Sequence, residues 1–600
     1  MSKKLARTDA PIEQTWDLSD LFSTVEEWEA ELNQLPKEVE KITQYKGRLG
    51  ESAEVLLSCL DAQDQLLQRA IRVATYAHLN TSVDGTDPSY QANASHASAT
   101  VASIHAALSF VQSEILDLPE GVVEEFLSAK EGLSTYRKTL TELLETKPYR
   151  LSPETEAILA SLGEVLDGPF AIYSRSKTAD MQFDPIIDDQ GEEQHVSLAL
   201  YETYYEQSSD TTERRKAYAS YTKALNQYKN TFATTYATEV KKQVVMARER
   251  NYKSVTDMLL HPQQVTQEMY YNILDVIQTE LAPHMRRFAK LKQRVYGLDK
   301  MYLCDLKAPL DPEYNPDVTY DEAAKEVLDA LEIMGPEYME IMTKAINERW
   351  VDYADTVGKR SGAFCSSPYG VHPYILMTWA GKMRSAFTLA HELGHAGHFA
   401  LAGRYQRYHN TRPSLYFIEA PSTLNEMLLS HSLLAKSKDP RKRLAVIVQV
   451  LGTYYHNYVT HLLEGEMQRR VYAHAEAGKP ITANVLCDLK GAVLSDFWGD
   501  TVEIDEGARL TWMRQPHYYM GLYPYTYAAG LTASTAVAQM IQEEGKPAAE
   551  RWIEVLKAGG TKKPLELMQM AGVDMTSPKP IRNTVKFIGA LIDELEKGFK

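Results

Sequence analysis

Apolar residues recur every three to four positions along most of this chain, and that period constrains the fold to helices almost throughout. EVLLSCLDAQDQLLQRAIRVATYAHL, Glu54 to Leu79, shows it well, and the same spacing predicts helices near 91–117, 133–147, 265–297, 439–475 and 581–598. Pro, Gly, Asn and Asp punctuate these runs. Strand signals are few. One hairpin is predicted in KTADMQFDPIIDDQGEEQHVSL, with Asp188 to Gly191 as its turn. Two short strands are predicted at GAFCS from Gly362 and YILMTW from Tyr374 to Trp379. The expected fold is therefore mainly α, with a small β element. At roughly 150 residues per domain, 600 residues make about four domain-equivalents, which helical enzymes often merge into two lobes. We divide the chain after the hairpin, into an N-terminal helical region at 1–199 and a second domain at 200–600. No repeat of 20–50 residues is present, so a solenoid is not expected.

Charge narrows the function. Lys and Arg number 64 against 81 Asp and Glu, and a net −17 repels a phosphate backbone or an anionic membrane surface. The two densest basic stretches, Lys436 to Arg443 and Met285 to Arg294, are short and read as solvated helix ends or faces. Cys59, Cys304, Cys365 and Cys487 lie far apart and form no C-x-x-C pair, which argues against a disulfide framework or a thiolate zinc site. The N-terminus carries no apolar stretch of the signal type, and no run approaches 18 apolar residues. A soluble cytoplasmic protein, bound to neither membrane nor nucleic acid, is expected.

The chemistry is concentrated in FTLAHELGHAGHFA, Phe387 to Ala400, which contains H-E-x-x-H as His391, Glu392 and His395. Helical residues four apart lie on one face, about 5–6 Å from each other, so two imidazoles can converge on one Zn²⁺. Glu392 can then reach the metal's water as a general base. Gly394 and Gly397 each weaken a helix by about 1 kcal/mol relative to Ala, a cost that suggests close approach by another group. A catalytic site needs a third ligand and an open position. Leu401 stands where a metzincin has its third His, which excludes that class. His398 reads as a packed or hydrogen-bonded neighbour of the site. The better candidates are carboxylates in LYFIEAPSTLNEMLLSH. Glu419 follows His395 by 24 residues, and Glu426 comes two helical turns later. One ligand and one carboxylate supporting a ligand His is a natural division, although spacing alone leaves the two roles interchangeable.

AHELGHAGH, FIEAPST and the following Glu426 resemble the thimet oligopeptidase and oligoendopeptidase F family of zinc peptidases, and its oligoendopeptidase F branch in particular. The likeness extends to GKRSGAFCSSP, PYILMTW, WDLSDLF near the N-terminus and a Tyr-rich segment after residue 510, and so spans most of the chain. It implies a two-lobed helical enzyme whose deep channel admits short unstructured peptides. It also implies one zinc ion per chain, with Glu419 as the third ligand through the family's F-x-E-x-P-S motif.

A tetrahedral intermediate needs a donor besides the metal. RQPHYYMGLYPYTYAAG, Arg514 to Gly530, offers His517, Tyr518, Tyr519, Tyr523, Tyr525 and Tyr527. The family resemblance favours His517, Tyr523 and Tyr527 as catalytic groups, with Tyr525 either packed or lining the substrate path. The segment has only Gly521 where the thimet branch has a glycine-rich loop. Gly362, Ala363 and Phe364 open a strand that can bind an extended peptide along its backbone. Cys365 in that strand reads as a small buried residue. The function expected is a zinc-dependent endopeptidase of short oligopeptides. The alternatives are an exopeptidase releasing terminal dipeptides and a peptide-binding protein with a non-catalytic zinc site.

Overall fold

In the computed structural model, which describes residues 4–600, helices take 72% of the chain and strands 3%. The apolar side chains form two cores. Trp16 to Leu140 supply most of the first, built on α1 (Val25–Thr43), α2 (Ala53–Val83) and α3 (Pro88–Asp117). Each of these helices is capped: Thr24, Ser52 and Asp87 accept hydrogen bonds from backbone N–H groups of the first turn. By length and composition α3 could cross a membrane, but its Ile104, Leu108, Val111 and Ile115, spaced along one face, are buried in this core. The second core gathers residues from Tyr173 to Leu595 and includes the helix carrying H-E-x-x-H, Met383–Tyr405.

Two segments predicted as continuous helices are interrupted. Gln267–Val276 and Ala282–Val295 flank a π-turn at Ile277–Leu281, and Pro440–Tyr454 and His461–Glu476 flank another at Tyr455–Thr460. A π-turn keeps the chain helical and adds a single residue to one turn, too small a change for apolar periodicity to register. The predicted hairpin forms between β1 (Ile186–Ile187) and β2 (Glu193–Gln194), where Asp188 accepts from the N–H groups of Gln190 and Glu192.

A second sheet joins the two cores. Its order is β3 (Val351–Asp352), β5 (Tyr374–Leu376), β4 (Phe364–Ser366), with β5 parallel to β3 and antiparallel to β4. Tyr374 and Leu376 point into the first core, while Ile375 and Met377 point into the second. Burial on both faces explains why YILMTW is an unbroken apolar run rather than an alternating one. β3 escaped prediction because two residues carry no readable period. Buried Asp352 fixes this strand to the N-terminal segment: it accepts from Arg7 at 2.5 Å and from Lys359 at 2.6 Å. A polar contact closes the seam elsewhere, where His409 meets the Asp64 carboxylate at 2.5 Å and the Thr135 carbonyl at 2.9 Å while stacking on Tyr136.

The two costly glycines have their reason here. A Cβ on Gly394 would lie 2.5 Å from the Pro421 carbonyl oxygen and 2.6 Å from the Ser422 Cα, and one on Gly397 would enter the Tyr338 ring. The helix Ala420–Lys436 thus lies backbone to backbone against Met383–Tyr405. Neither partner at Gly394 is a flexible side chain that can move aside. Gly394→Ala should therefore cost about 1–3 kcal/mol, as overpacked sites do, and should weaken metal binding as well. Thermal unfolding at the wild-type temperature would show instead that the two helices can separate freely.

Candidate active site

The helix Met383–Tyr405 carries His391 and His395 on one face, and the chain opposite breaks at Glu419, between the short helix Leu415–Ile418 and Ala420–Lys436. Pro421 in the first turn suits that helix start. Glu419 Oε2 lies 3.4 Å from His391 Nε2 and 3.4 Å from His395 Nε2. The three groups offer ligand atoms all within 4.8 Å of one another, and among the described residues no fourth His, Cys, Asp or Glu joins them. Ser422 donates to Glu419 Oε2 at 3.1 Å. Gly530, from the helix Pro524–Glu544, approaches so closely that a Cβ there would sit 3.0 Å from the Glu419 Cβ. Burial alone would raise the Glu419 carboxyl, but the two histidines outweigh it and hold it well below the usual range.

Glu426 sits behind His391 rather than among the three converging atoms. It accepts from His391 Nδ1 at 2.7 Å and from Thr453 Oγ1 at 2.8 Å. With its proton on Nδ1, His391 turns a lone pair at Nε2 toward Glu419 and His395, the tautomer a metal ligand needs. Two imidazole nitrogens and a carboxylate oxygen converging in this way form a donor set that suits zinc. Glu392 is 5% exposed, and its Oε2 has no hydrogen-bond partner. Burial raises its pKa, opposed by the two histidines.

The opposite wall comes from the Tyr-rich segment. His517 stacks on Tyr523 at 5.3 Å, and Tyr527 meets both rings edge-on, its hydroxyl 3.5 Å from His517 Nε2. Tyr527 lies three residues before Gly530, one helical turn from the Glu419 contact. Burial, with Lys177 nearby, pushes His517 down to about 4, so it is a neutral imidazole at neutral pH. Gln515 Oε1 lies 3.1 Å from its Nδ1, so the amide orientation sets the tautomer.

The peptidase family M3 model matches residues 204–587, and an Oligopeptidase F model matches 114–183. The chain belongs to peptidase family M3. It is 34% identical to Oligopeptidase PepF of Bacillus subtilis, over 98% of this chain and 88% of that protein. Group B oligopeptidase PepB of Streptococcus agalactiae is 30% identical, over 97% and 96%. The fold matches a solved putative peptidase from Chlamydophila abortus with TM-score 0.88 at 26% identity, covering 99% and 100% of the two chains. It matches oligoendopeptidase-F from Enterococcus faecium with TM-score 0.75 at 26% identity, covering 96% and 99%. M3 membership makes the protein a metallopeptidase acting on oligopeptides.

The remaining predicted residues of this M3 peptidase divide clearly. β4 is an edge strand, with one side paired to β5 and Gly362 in the left-handed region at φ 88° just before it. The Phe364 side chain turns away toward Trp16 and His78, so only its backbone is available to a peptide. Cys365 is partly buried, and burial, reinforced by the charge of Glu392, pushes its pKa well up. Tyr525 does not line the cleft: it is fully buried, and its hydroxyl is used on Gln263 Oε1 at 2.6 Å. Tyr518 is buried against Tyr236, and Tyr519 bonds Thr235. His398 is fully buried with neither ring nitrogen partnered, and burial lowers it to about 3.

Two residues outside the predicted set join the wall. His456, inside the second π-turn, and His461, just after it, bring their Nε2 atoms 3.1 Å apart, and His461 stacks flat on Tyr527 at 4.1 Å. Nothing in a helical reading of 439–475 brings residues five apart together. The differing contacts of the two carboxylates lead to one expectation. Glu419→Ala should abolish zinc binding, whereas Glu426→Ala should weaken it about 10–100-fold. Zinc content and affinity, measured by competition with a chelating dye, would reverse the two roles if the ranking came out the other way.

Proposed function

We propose that this M3 peptidase is a zinc-dependent oligoendopeptidase in which His391, His395 and Glu419 hold the metal. The observation that carries the reading is the three-sided convergence of these residues, with Glu392 buried beside them and no fourth ligand among the described residues. A structural zinc site would close with a fourth ligand, whereas a catalytic one keeps a position open. When bound, zinc would supply a Lewis acid and make an adjacent water far more acidic, bringing its pKa down toward about 7.

The protein residues perform the remaining steps. Glu392, its free oxygen without a partner, takes the proton of the attacking water and delivers it to the leaving amine. Its burial raises its basicity and keeps bulk water from competing for it. Tyr527 and His517 donate to the oxygen that gains charge as the carbonyl becomes tetrahedral, and Tyr523 orders them by stacking. The free edge of β4, from Gly362 through Phe364, takes the peptide backbone as an added strand. Recognition through backbone groups fits short unstructured peptides of varied sequence. The names of the matched relatives, oligopeptidase and oligoendopeptidase F, support internal cleavage. Four free thiols suit work in the cytoplasm, and on this reading residues 200–600 form the catalytic domain.

Glu392→Gln should keep zinc content at the wild-type level and lower kcat by several orders of magnitude. Substantial turnover by the metal-replete variant would sink the general-base role. Mass spectrometry of products from mixed unstructured peptides should show internal cuts that vanish on chelation. Successive terminal dipeptides would point to an exopeptidase instead, and intact peptides to a binding protein.

A further inference from the structure

Between Ser385 and Phe399 the H-E-x-x-H helix is buried except at three residues, Thr388, His391 and His395. Arg384 continues this open stripe: residues 384, 388, 391 and 395 follow one another by four, three and four and so share one face. Arg384 is exposed and takes part in no ion pair among the described residues, whereas nearby Lys382 is paired with Asp317. An arginine two turns before a metal ligand, on the one open face of its helix and free of any acid, is a donor fork without an acceptor.

His456 lies within electrostatic range of this arginine. It is exposed, and Arg384, His391 and His517 all act on it electrostatically. Its contact with His461 fixes what it presents. His461 Nδ1 is buried without a partner, and a buried lone pair is tolerated better than an orphaned N–H. His461 therefore carries its proton on Nε2 and donates to His456 Nε2 at 3.1 Å. The proton of His456 is then on Nδ1, available to a ligand. The other groups around His456 include Lys307, already paired with Glu206, His517, a neutral imidazole, and the Tyr527 ring, edge-on at 6.1 Å.

We propose that Arg384 and His456 form a subsite for a carboxylate of the bound peptide. This deepens the peptidase reading and rests on it. Seven helical residues carry Arg384 about 10.5 Å along the axis from His391. An extended peptide covers about 3.3–3.6 Å per residue. The carboxylate thus lies about three residues from the scissile bond, either at the C-terminus of a short peptide or on an Asp or Glu side chain.

Two matched peptide pairs test this. One pair differs only in a free or amidated C-terminus. The other, amidated throughout, carries Glu or Gln three residues from the cut. One pair should differ about tenfold in kcat/KM, mainly through KM, as a lost charge-assisted hydrogen bond implies, and the pair that responds identifies the source of the carboxylate. The ratio should collapse to about one in Arg384→Gln, survive in part in Arg384→Lys and fall partway in His456→Gln. Equal handling of both pairs by the wild type, or a ratio that persists in Arg384→Gln, overturns the subsite. Fluorescence anisotropy of the same peptides on the Glu392→Gln chain reads affinity without turnover. A wild type that cuts nothing would sink the peptidase reading, while these affinities still decide the subsite.

Discussion

The backbone contact between Met383–Tyr405 and Ala420–Lys436 sets the geometry of everything around it. Only a residue without a Cβ at position 394 lets the Pro421 carbonyl and the Ser422 Cα come so near, and that distance puts Glu419 within ligand range of both histidines. Ordinary side chains keep helix axes about 8–10 Å apart, and glycine at 394 lets these two backbones come closer. Gly530 repeats the device from the third side, seating the helix that carries Tyr527 against the Cβ of Glu419. The cost of glycine in a helix interior is thus met by the close approach it permits.

Around that contact the charges are arranged by position as much as by partner. Glu419 lies at the start of a helix, where the backbone dipole favours a negative group, and it faces two imidazoles. Glu392, one residue from His391 on the same helix, feels the same two imidazoles but makes no hydrogen bond to either and sits in a drier place. Two carboxylates of the same type are thereby driven in opposite directions, one held ionised and the other made more basic. Glu426, bonded to His391 and Thr453, is spent on orientation.

How much of this was legible in the sequence follows from the range of each signal. The helices, the hairpin and the strand Tyr374–Leu376 are local, written in apolar spacing or turn residues, and the mainly α class follows from them. H-E-x-x-H is local too, and the seven-residue step from Glu419 to Glu426 put both carboxylates on one side of a helix. The glycines at 394 and 397 announced a close neighbour without saying which. Tyr525 could not be sorted from Tyr527 by type, since two residues of offset on one helix decide which ring faces the cleft and which is buried on Gln263. His456 and His461 were hidden for a different reason. Their meeting depends on a π-turn, and one added residue in a turn leaves the apolar rhythm nearly unchanged. The two-residue strand β3 has no rhythm at all.

The strand β3 also shows how the N-terminal part of the chain is tied to the proposed site. A buried carboxylate is costly unless it is paired and hydrogen-bonded, and Asp352 meets both conditions through Arg7 and Lys359. The backbone around β3 is held from both sides: Tyr353 N–H donates to the Gln14 carbonyl, and the N–H groups of Ile375 on β5 and of Met377 just after it donate to the carbonyls of Trp350 and Asp352. β5 in turn fixes the register of β4, whose far edge is unpaired and is the one proposed to take a peptide. The first core is therefore joined to the proposed substrate edge through a path of hydrogen-bonded strands only three members wide. With Tyr374 and Leu376 buried in one core and Ile375 and Met377 in the other, β5 cannot follow one core without straining the other. The sheet is small because its work is to couple the two cores, and two or three residues per strand suffice when both faces are buried.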